Sequence, residues 1–344
     1  HDDISAIAHD TERFSSRSVL VTDTRVEDLG DFTSPPITSD PPQHRAHRKA
    51  LLPAFAPKAI DKWIPITQDI CRGLLDDLDN ARSCDGSDDY AKHIPVLVIA
   101  QMIGIPTDDG ERFRGWVKDL LEIGPFEVER ARRSTREIFE YFGEFVDARR
   151  DEPREDLITY LLQADMDGEP LADHQITGGL FLLLLAGIDT TWSTIGAALW
   201  HLGHHPDDRR RLAAEPQLID TAVEEFLRYY SPVTMARVIT DEVELSGETL
   251  CPGERVLLPF PAANRDPEFL ADAGEFKIDR AVNRHSAFGL GIHRCLGSNL
   301  ARMEVKVAIE EWMARIPEFE LTDPGAVTWS LGQVRGPRTI PLSW

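Results

Sequence analysis

A single cysteine sets the strongest limit on what this chain can fold into. Cys295 stands in the run Phe288-Gly289-Leu290-Gly291-Ile292-His293-Arg294-Cys295-Leu296-Gly297. Gly289, Gly291 and Gly297 lack a Cβ, so they permit a tight turn and close backbone approach. Backbone N–H groups of such a turn can point at the sulfur and hold its negative charge, and Phe288 can cover it against water. A helix is predicted over Leu296–Ile316, and its N-terminal dipole also favours a thiolate. The run therefore reads as a device for presenting a thiolate to a metal. A buried structural cysteine beside a glycine-rich loop is the plainer alternative, but it leaves the glycines and the aromatic cover without a purpose.

The remaining sequence has to build a frame for that loop. Its 344 residues suffice for one large domain or two ordinary ones, and the pattern is that of one mostly helical domain over residues 1–344. Helical spacing predicts helices over Asp40–Phe55, Pro57–Leu78, His93–Ile103, Asp109–Ile123, Val128–Arg150, Asp156–Ala164, Asp173–His204 and Glu215–Tyr229. The middle of Asp173–His204 is apolar on nearly every face, which predicts burial. Short strands are expected at Ala236–Thr240, Val243–Leu245 and Arg255–Leu258, with further paired strands in Gly325–Trp344. This order is not that of a βαβ array.

Charge and cysteine usage exclude several classes. The formal charge, 37 − 59 = −22, argues against wrapping nucleic acid or lying on an anionic membrane. Cys71, Cys84, Cys251 and Cys295 are scattered without a C-x-x-C pair, which argues against structural zinc and suits a reducing cytoplasm. The most apolar stretch, Leu180–Ile188, falls well short of the ~20 residues a spanning helix needs, and the acidic start is not that of a signal peptide. A cytoplasmic monomer is the expectation. His201, His204 and His205 have a spacing that a metal can use, but they sit at a helix end before Pro206, where histidines favour the dipole.

The Cys295 run resembles the haem-binding loop of the cytochrome P450 family, F-x-x-G-x-x-x-C-x-G. It also fits, at every fixed position, the form F-G-x-G-x-H-x-C-L-G that many bacterial members carry. The resemblance implies a mainly α fold with small β-sheets and haem b between the long central helix and the helix after the cysteine loop. It makes Cys295 the axial ligand of the haem iron, where a thiolate favours O–O cleavage. Residues 1–16 resemble the second helix of that fold, so an N-terminal segment of the fold is expected to be missing.

Ala186-Gly187-Ile188-Asp189-Thr190-Thr191 places an acid and two alcohols in the most hydrophobic helix. A buried Asp is costly unless it is paired or hydrated. Back-bonding by Thr, together with Gly187, is expected to loosen the helix and open a space for O2 and water. The tract resembles the family motif A/G-G-x-D/E-T-T. By that resemblance Thr190 hydrogen-bonds the reduced dioxygen at the haem and Asp189 feeds it protons from solvent. Members that use peroxide as oxidant tend to lack the pair, so its presence favours O2 activation with delivered electrons. Trp192 is expected to fill core.

Glu225 and Arg228 lie three apart on one helix face and can pair, although such pairs are usually solvated. In the family's order they match, with Arg280, a structural network that locks the segment leading to Cys295. His44 and Arg48, one helical turn apart, together with Arg237 and His293, match positions that hold the haem propionates. Phe288 and Gly289 belong to the same cofactor site, and His285 also recurs in the family. Leu183, Ala186, Val233, Met235 and Gln333, with the loop 22–37 above them, are pocket candidates. Their apolar character suits a small-to-medium hydrophobic molecule.

What the resemblance implies is a soluble, bacterial-type monooxygenase that hydroxylates or oxidatively dealkylates its substrate. Electrons would come from NAD(P)H through a reductase and a ferredoxin or flavodoxin. Docking is expected on the Cys295 side, with Arg294 and Arg302 as candidates. A haem-thiolate peroxygenase, a ring-coupling or epoxidising enzyme, and a non-catalytic haem sensor are the alternatives.

Overall fold

The computed structural model describes residues 1–22, 34–166 and 168–344. Its axis is the helix Asp173–His204, whose bounds are those expected from the sequence. Ile176, Leu180, Leu184, Ile188, Ile195, Leu199 and Leu202 are all buried under packed neighbours, while Leu182, Ala186 and Thr190 face open space. The helices His93–Ile103, Val128–Asp151 and Ser298–Arg315 are among those neighbours. By length and composition the central helix is apolar enough to cross a membrane, with a mean hydropathy of 1.5 over its best window, but 67% of that window is buried inside the protein. The loosening expected at Gly187 is not there: the helix runs unbroken from end to end.

Prolines and turns redraw the other boundaries. The segment expected as one helix over Asp40–Phe55 starts only at Gln43 and stops at Leu51. Pro53 has no N–H to continue it, so Leu52–Phe55 tightens into a 3-10 turn. Pro57–Leu78 divides into Pro57–Ile60 and Trp63–Asp76. The segment Asp109–Ile123 is α-helical over Gly110–Lys118 and ends in a π-helical turn, Asp119–Ile123. Pro206, expected only as a stop, also opens the helix Pro206–Ala214, with Asp207 and Asp208 in its first turn.

The sheets are small and antiparallel. Thr234–Ile239 pairs with Arg255–Pro259 on one side and Phe14–Ser15 on the other. Val243–Leu245 and Glu248–Leu250 form a hairpin through Ser246 and Gly247, both at positive φ as a two-residue turn requires. At the C-terminal end Pro337–Thr339 pairs with Thr328–Trp329 and packs on the central helix. Pro341–Ser343 pairs with Ser83–Asp85 and with Glu320–Leu321.

Candidate active site

The central helix and the Cys295 loop face each other across a cavity of about 1460 Å³, open mouth included. Cys295, Phe288, Gly289 and His293 line it from the loop, and Leu183, Ala186 and Thr190 from the central helix. Arg48, Val233, Met235 and Arg237 close the sides. A second, mostly apolar cavity shares Ile37, Ala186, Thr190, Val233 and Met235 with the first and adds Phe181, Gln333 and Val334. The two therefore join, and Thr190 stands at the junction. Of the loop expected above the pocket, Thr22, Ser34 and Ile37 line this space, whereas residues 23–33 lie outside the described residues.

Two of the three glycines do what their sequence positions predict, whereas Gly297 has an ordinary φ of −82° and open space around it. Gly289 and Gly291 adopt φ of 71° and 66°, the left-handed region. A Cβ on Gly291 would lie 2.1 Å from the Ala8 carbonyl oxygen, so the loop passes the N-terminal helix Asp2–His9 at glycine distance only. The Cys295 N–H donates to the Phe288 carbonyl at 2.7 Å and closes the turn. The helix expected from Leu296 begins at Ser298, with Gly297 as its cap, which leaves the Gly297 N–H to donate to the sulfur. Cys295 opens onto the cavity and is enclosed by protein elsewhere. Burial pushes its thiol up, while the Gly297 N–H and the cations Arg48, Arg302 and Arg294 act the other way.

Two expectations are corrected beside it. Arg302 is not free for docking. It donates to both Glu224 carboxylate oxygens, at 2.5 and 3.0 Å, and its guanidinium lies 4.4 Å from the Phe288 ring centre. His285 does not reach the cavity, because its Nε2 faces the same Glu224 at 3.0 Å. With these partners Glu224 ionises at about 2, although burial opposes it. Nothing in the sequence singled out Glu224. The fold turns it into the anchor of the cation that covers Phe288. Arg294 is exposed, as expected.

Two cations, Arg237 and Arg48, and one neutral histidine, His293, converge on the cavity without carboxylate partners of their own among the described residues. Arg237 is buried, spends one N–H on the Ala236 carbonyl at 2.7 Å, and is pushed down to about 10 by burial. Arg48 is likewise lowered by burial. The His293 Nε2 meets the Ser16 hydroxyl at 2.9 Å, and burial lowers its pKa to about 3. His44 stands behind His293 rather than on the wall, with ring centres 4.3 Å apart. It is buried, and its Nε2 has no hydrogen-bond partner among the described residues.

Asp189 is 1% exposed and points away from the cavity. Its Oδ1 accepts from Arg338 at 2.6 Å, and its Oδ2 has no partner among the described residues. Arg338 also donates to Glu122 at 2.8 Å and to Ser193 at 3.1 Å, and stacks 4.1 Å over Trp192. Burial pushes Asp189 up to about 6 against the pull of Arg338. Trp192 fills core as expected, with its N–H on Ser87 at 2.7 Å. The Thr190 hydroxyl donates to the Ala186 carbonyl at 2.7 Å, the back-bond predicted from its position. A further buried acid was not foreseen. Glu304, on the helix after the loop, lines the cavity, has an unpartnered Oε2, and is pushed up to about 8 by burial alone.

The expected frame forms. Arg228 and Glu225 are both fully buried and joined by two hydrogen bonds, at 2.8 and 2.7 Å. The Arg280 Nε donates to the same carboxylate at 3.1 Å, and Asn283 and the Lys277 N–H complete it. Arg228 also holds the carbonyls of Asn264, Ala273 and Glu275. A buried ion pair is tolerable only when its remaining hydrogen-bonding capacity is used in this way.

The family model for cytochrome P450 matches residues 105–325. The chain belongs to the cytochrome P450 family. It is 32% identical over 321 residues to the polyketide biosynthesis cytochrome P450 PksS of Bacillus subtilis (strain 168), covering 92% of this chain and 79% of that protein. It is 36% identical over 308 residues to the vitamin D(3) 25-hydroxylase of Pseudonocardia autotrophica, covering 89% and 76%. The solved structure of P450BioI in complex with hexadec-9Z-enoic acid ligated acyl carrier protein superposes with a TM-score of 0.90 at 30% identity, covering 100% of this chain and 90% of that one. Like these relatives, the chain is a P450 oxidoreductase of the monooxygenase type.

Haem b, the cofactor of P450s, fits the residues present. A thiol opens onto the cavity, two arginines line it without carboxylate partners among the described residues, and a buried histidine behind His293 has a nitrogen with no partner among them. This is the donor set that a planar group with two carboxylates calls for.

Proposed function

We propose that this P450 inserts one oxygen atom from O2 into a small-to-medium hydrophobic molecule, by hydroxylation or oxidative dealkylation. The observation that carries this is the junction at Thr190, where the apolar cavity meets the cavity of Cys295. Haem b bound there supplies the activation of O2. Cys295 would ligate its iron, Arg48, Arg237 and His293 would hold its propionates, and His44 would back His293. Phe288 keeps water from the sulfur.

The chain's own part in the reaction is to place the substrate and move protons. Phe181, Leu182, Leu185 and Val334 offer apolar contact and exclude water. Thr190 spends its hydrogen on the Ala186 carbonyl, so its oxygen remains an acceptor at the junction. Asp189, ionising at about 6, is poised to take and release a proton near neutrality, with Arg338 beside it. Electrons would come from NAD(P)H through a ferredoxin or flavodoxin and its reductase, docked near exposed Arg294. Relatives named for polyketide biosynthesis and vitamin D(3) hydroxylation support a hydrophobic substrate.

The test compares product formed with reductant consumed in the wild type and in Thr190→Ala, with a ferredoxin, its reductase and NAD(P)H. The expected result is continued reductant use with loss of product. Equal coupling in the two proteins would remove Thr190 from proton delivery. Reduced protein with CO that lacks the red-shifted thiolate band would remove Cys295 as ligand.

A further inference from the structure

Among the described residues no three or more His, Cys, Asp or Glu side chains come together as a metal ion would need, and that includes the histidine tract ending the central helix. It does something more specific. His201 is 1% exposed, its Nε2 faces Asp208 at 2.9 Å and its Nδ1 faces the Tyr230 hydroxyl at 2.6 Å. A carboxylate can only accept, so Nε2 carries the hydrogen and Nδ1 accepts from the phenol. Burial lowers the pKa of His201 and raises that of Tyr230. The resting pair is therefore a phenol on a neutral imidazole.

In the chain Tyr230 comes three residues after Leu227 and two before Pro232, both of which line the Cys295 cavity. It also lines an open groove of about 1380 Å³, with Trp200, Tyr229 and Trp329. Cations sit over two of these rings: Arg265 is 3.7 Å from the Tyr229 ring centre and Arg335 is 4.4 Å from that of Trp329. A cation over a ring opposes removal of an electron from it. Tyr229 donates only to a carbonyl, at 3.3 Å. Among the described rings of the groove, Tyr230 is the one whose hydroxyl rests on a base.

We infer that Tyr230, His201 and Asp208 form a proton-coupled electron-donating site that drains oxidising equivalents from the haem cavity when no substrate is in it. The inference rests on the reading that the Cys295 cavity holds haem. Tyr230 gives one electron to the haem oxidised by peroxide. Its O–H bond breaks, and the proton forms an N–H bond at His201 Nδ1, whose new charge is paired by Asp208. Tyr230 is oxidised to a neutral radical, and the haem centre is reduced by one electron. A small soluble reductant in the groove then returns one electron and His201 returns the proton. The aromatic walls suit a small planar donor such as ascorbate, with Arg265 and Arg335 facing it beside Asp208 and Glu275.

The experiment uses the holoenzyme without substrate, mixed with hydrogen peroxide and freeze-quenched for electron paramagnetic resonance. A tyrosyl radical is expected in the wild type. It should be lost in Tyr230→Phe, retained in Tyr229→Phe, and altered in its hydrogen-bond signature in Asp208→Asn. Haem bleaching should be several-fold faster in Tyr230→Phe, and ascorbate should slow it in the wild type only. A radical spectrum and bleaching rate unchanged in Tyr230→Phe, in protein with the CO-shifted thiolate band, would overturn the inference alone. Absence of that band from the wild type would instead sink the haem reading on which it rests.

Discussion

Arg338 Nη2 donates to Asp189 Oδ1 at 2.6 Å, joining two residues 149 positions apart. The arginine comes from the short strand Pro337–Thr339, and its other nitrogens hold Glu122 and Ser193. Asp189 therefore ionises where burial and one shared cation balance. Replacing Arg338 by Gln removes the cation, so the acid should ionise above its present value of about 6. The limb of product formation that depends on Asp189 should move to higher pH. A pH–rate profile of the coupled reaction reads this, and an unmoved profile would show that Arg338 does not set the acid.

Arg237 should have opposite effects on the loaded and the haem-free protein. A buried cation with no carboxylate partner among the described residues costs folding energy, and a propionate offsets that cost. Arg237→Met should lose haem faster in a transfer assay. The haem-free variant should be more stable than haem-free wild type by at least about 1 kcal/mol. Equal haem loss from the two proteins would exclude Arg237 from the propionate site.

Glu304 gives a stability signature with a definite sign. Burial raises it from 4.5 to about 8, so over that range the folded chain holds a proton that the unfolded chain has released. Stability is fully present below 4.5 and falls as pH rises to about 8, at about 1.4 kcal/mol per pH unit. Glu304→Gln should abolish that fall. Denaturant unfolding of both proteins across the window tests it, and parallel stability curves would count against a buried neutral acid.

Gly291→Ala should damage the loop through the backbone alone. Its φ of 66° costs a residue with a Cβ about 1–2 kcal/mol, and the Ala8 carbonyl occupies the space besides. The expected outcomes are a lower Tm and weaker haem retention. Gly297→Ala is the control, since no atom lies within 4 Å of the Cβ it would add.

Much of the site was legible before the fold was known. The glycines around Cys295, the back-bond of Thr190 and the ion pair of Glu225 and Arg228 follow from spacings within one turn or one helix. The central helix was legible because its middle is apolar on nearly every face. Less clear were the boundaries near Pro53 and Pro206, where a proline permits either a stop or a start.

The sequence by itself determined the candidates for the chemistry: one thiolate loop, one acid–alcohol pair, and a set of cations suited to a dianionic group. Only the tertiary structure decided how those groups are tuned. Arg338 reaches Asp189 and Glu224 clamps Arg302 over Phe288, while Tyr230 rests on His201. Each of these contacts joins elements far apart in the chain, and no local periodicity encodes it. Burial, which sets whether Asp189 or Glu304 is charged, is a property of the packed core and is absent from any single segment.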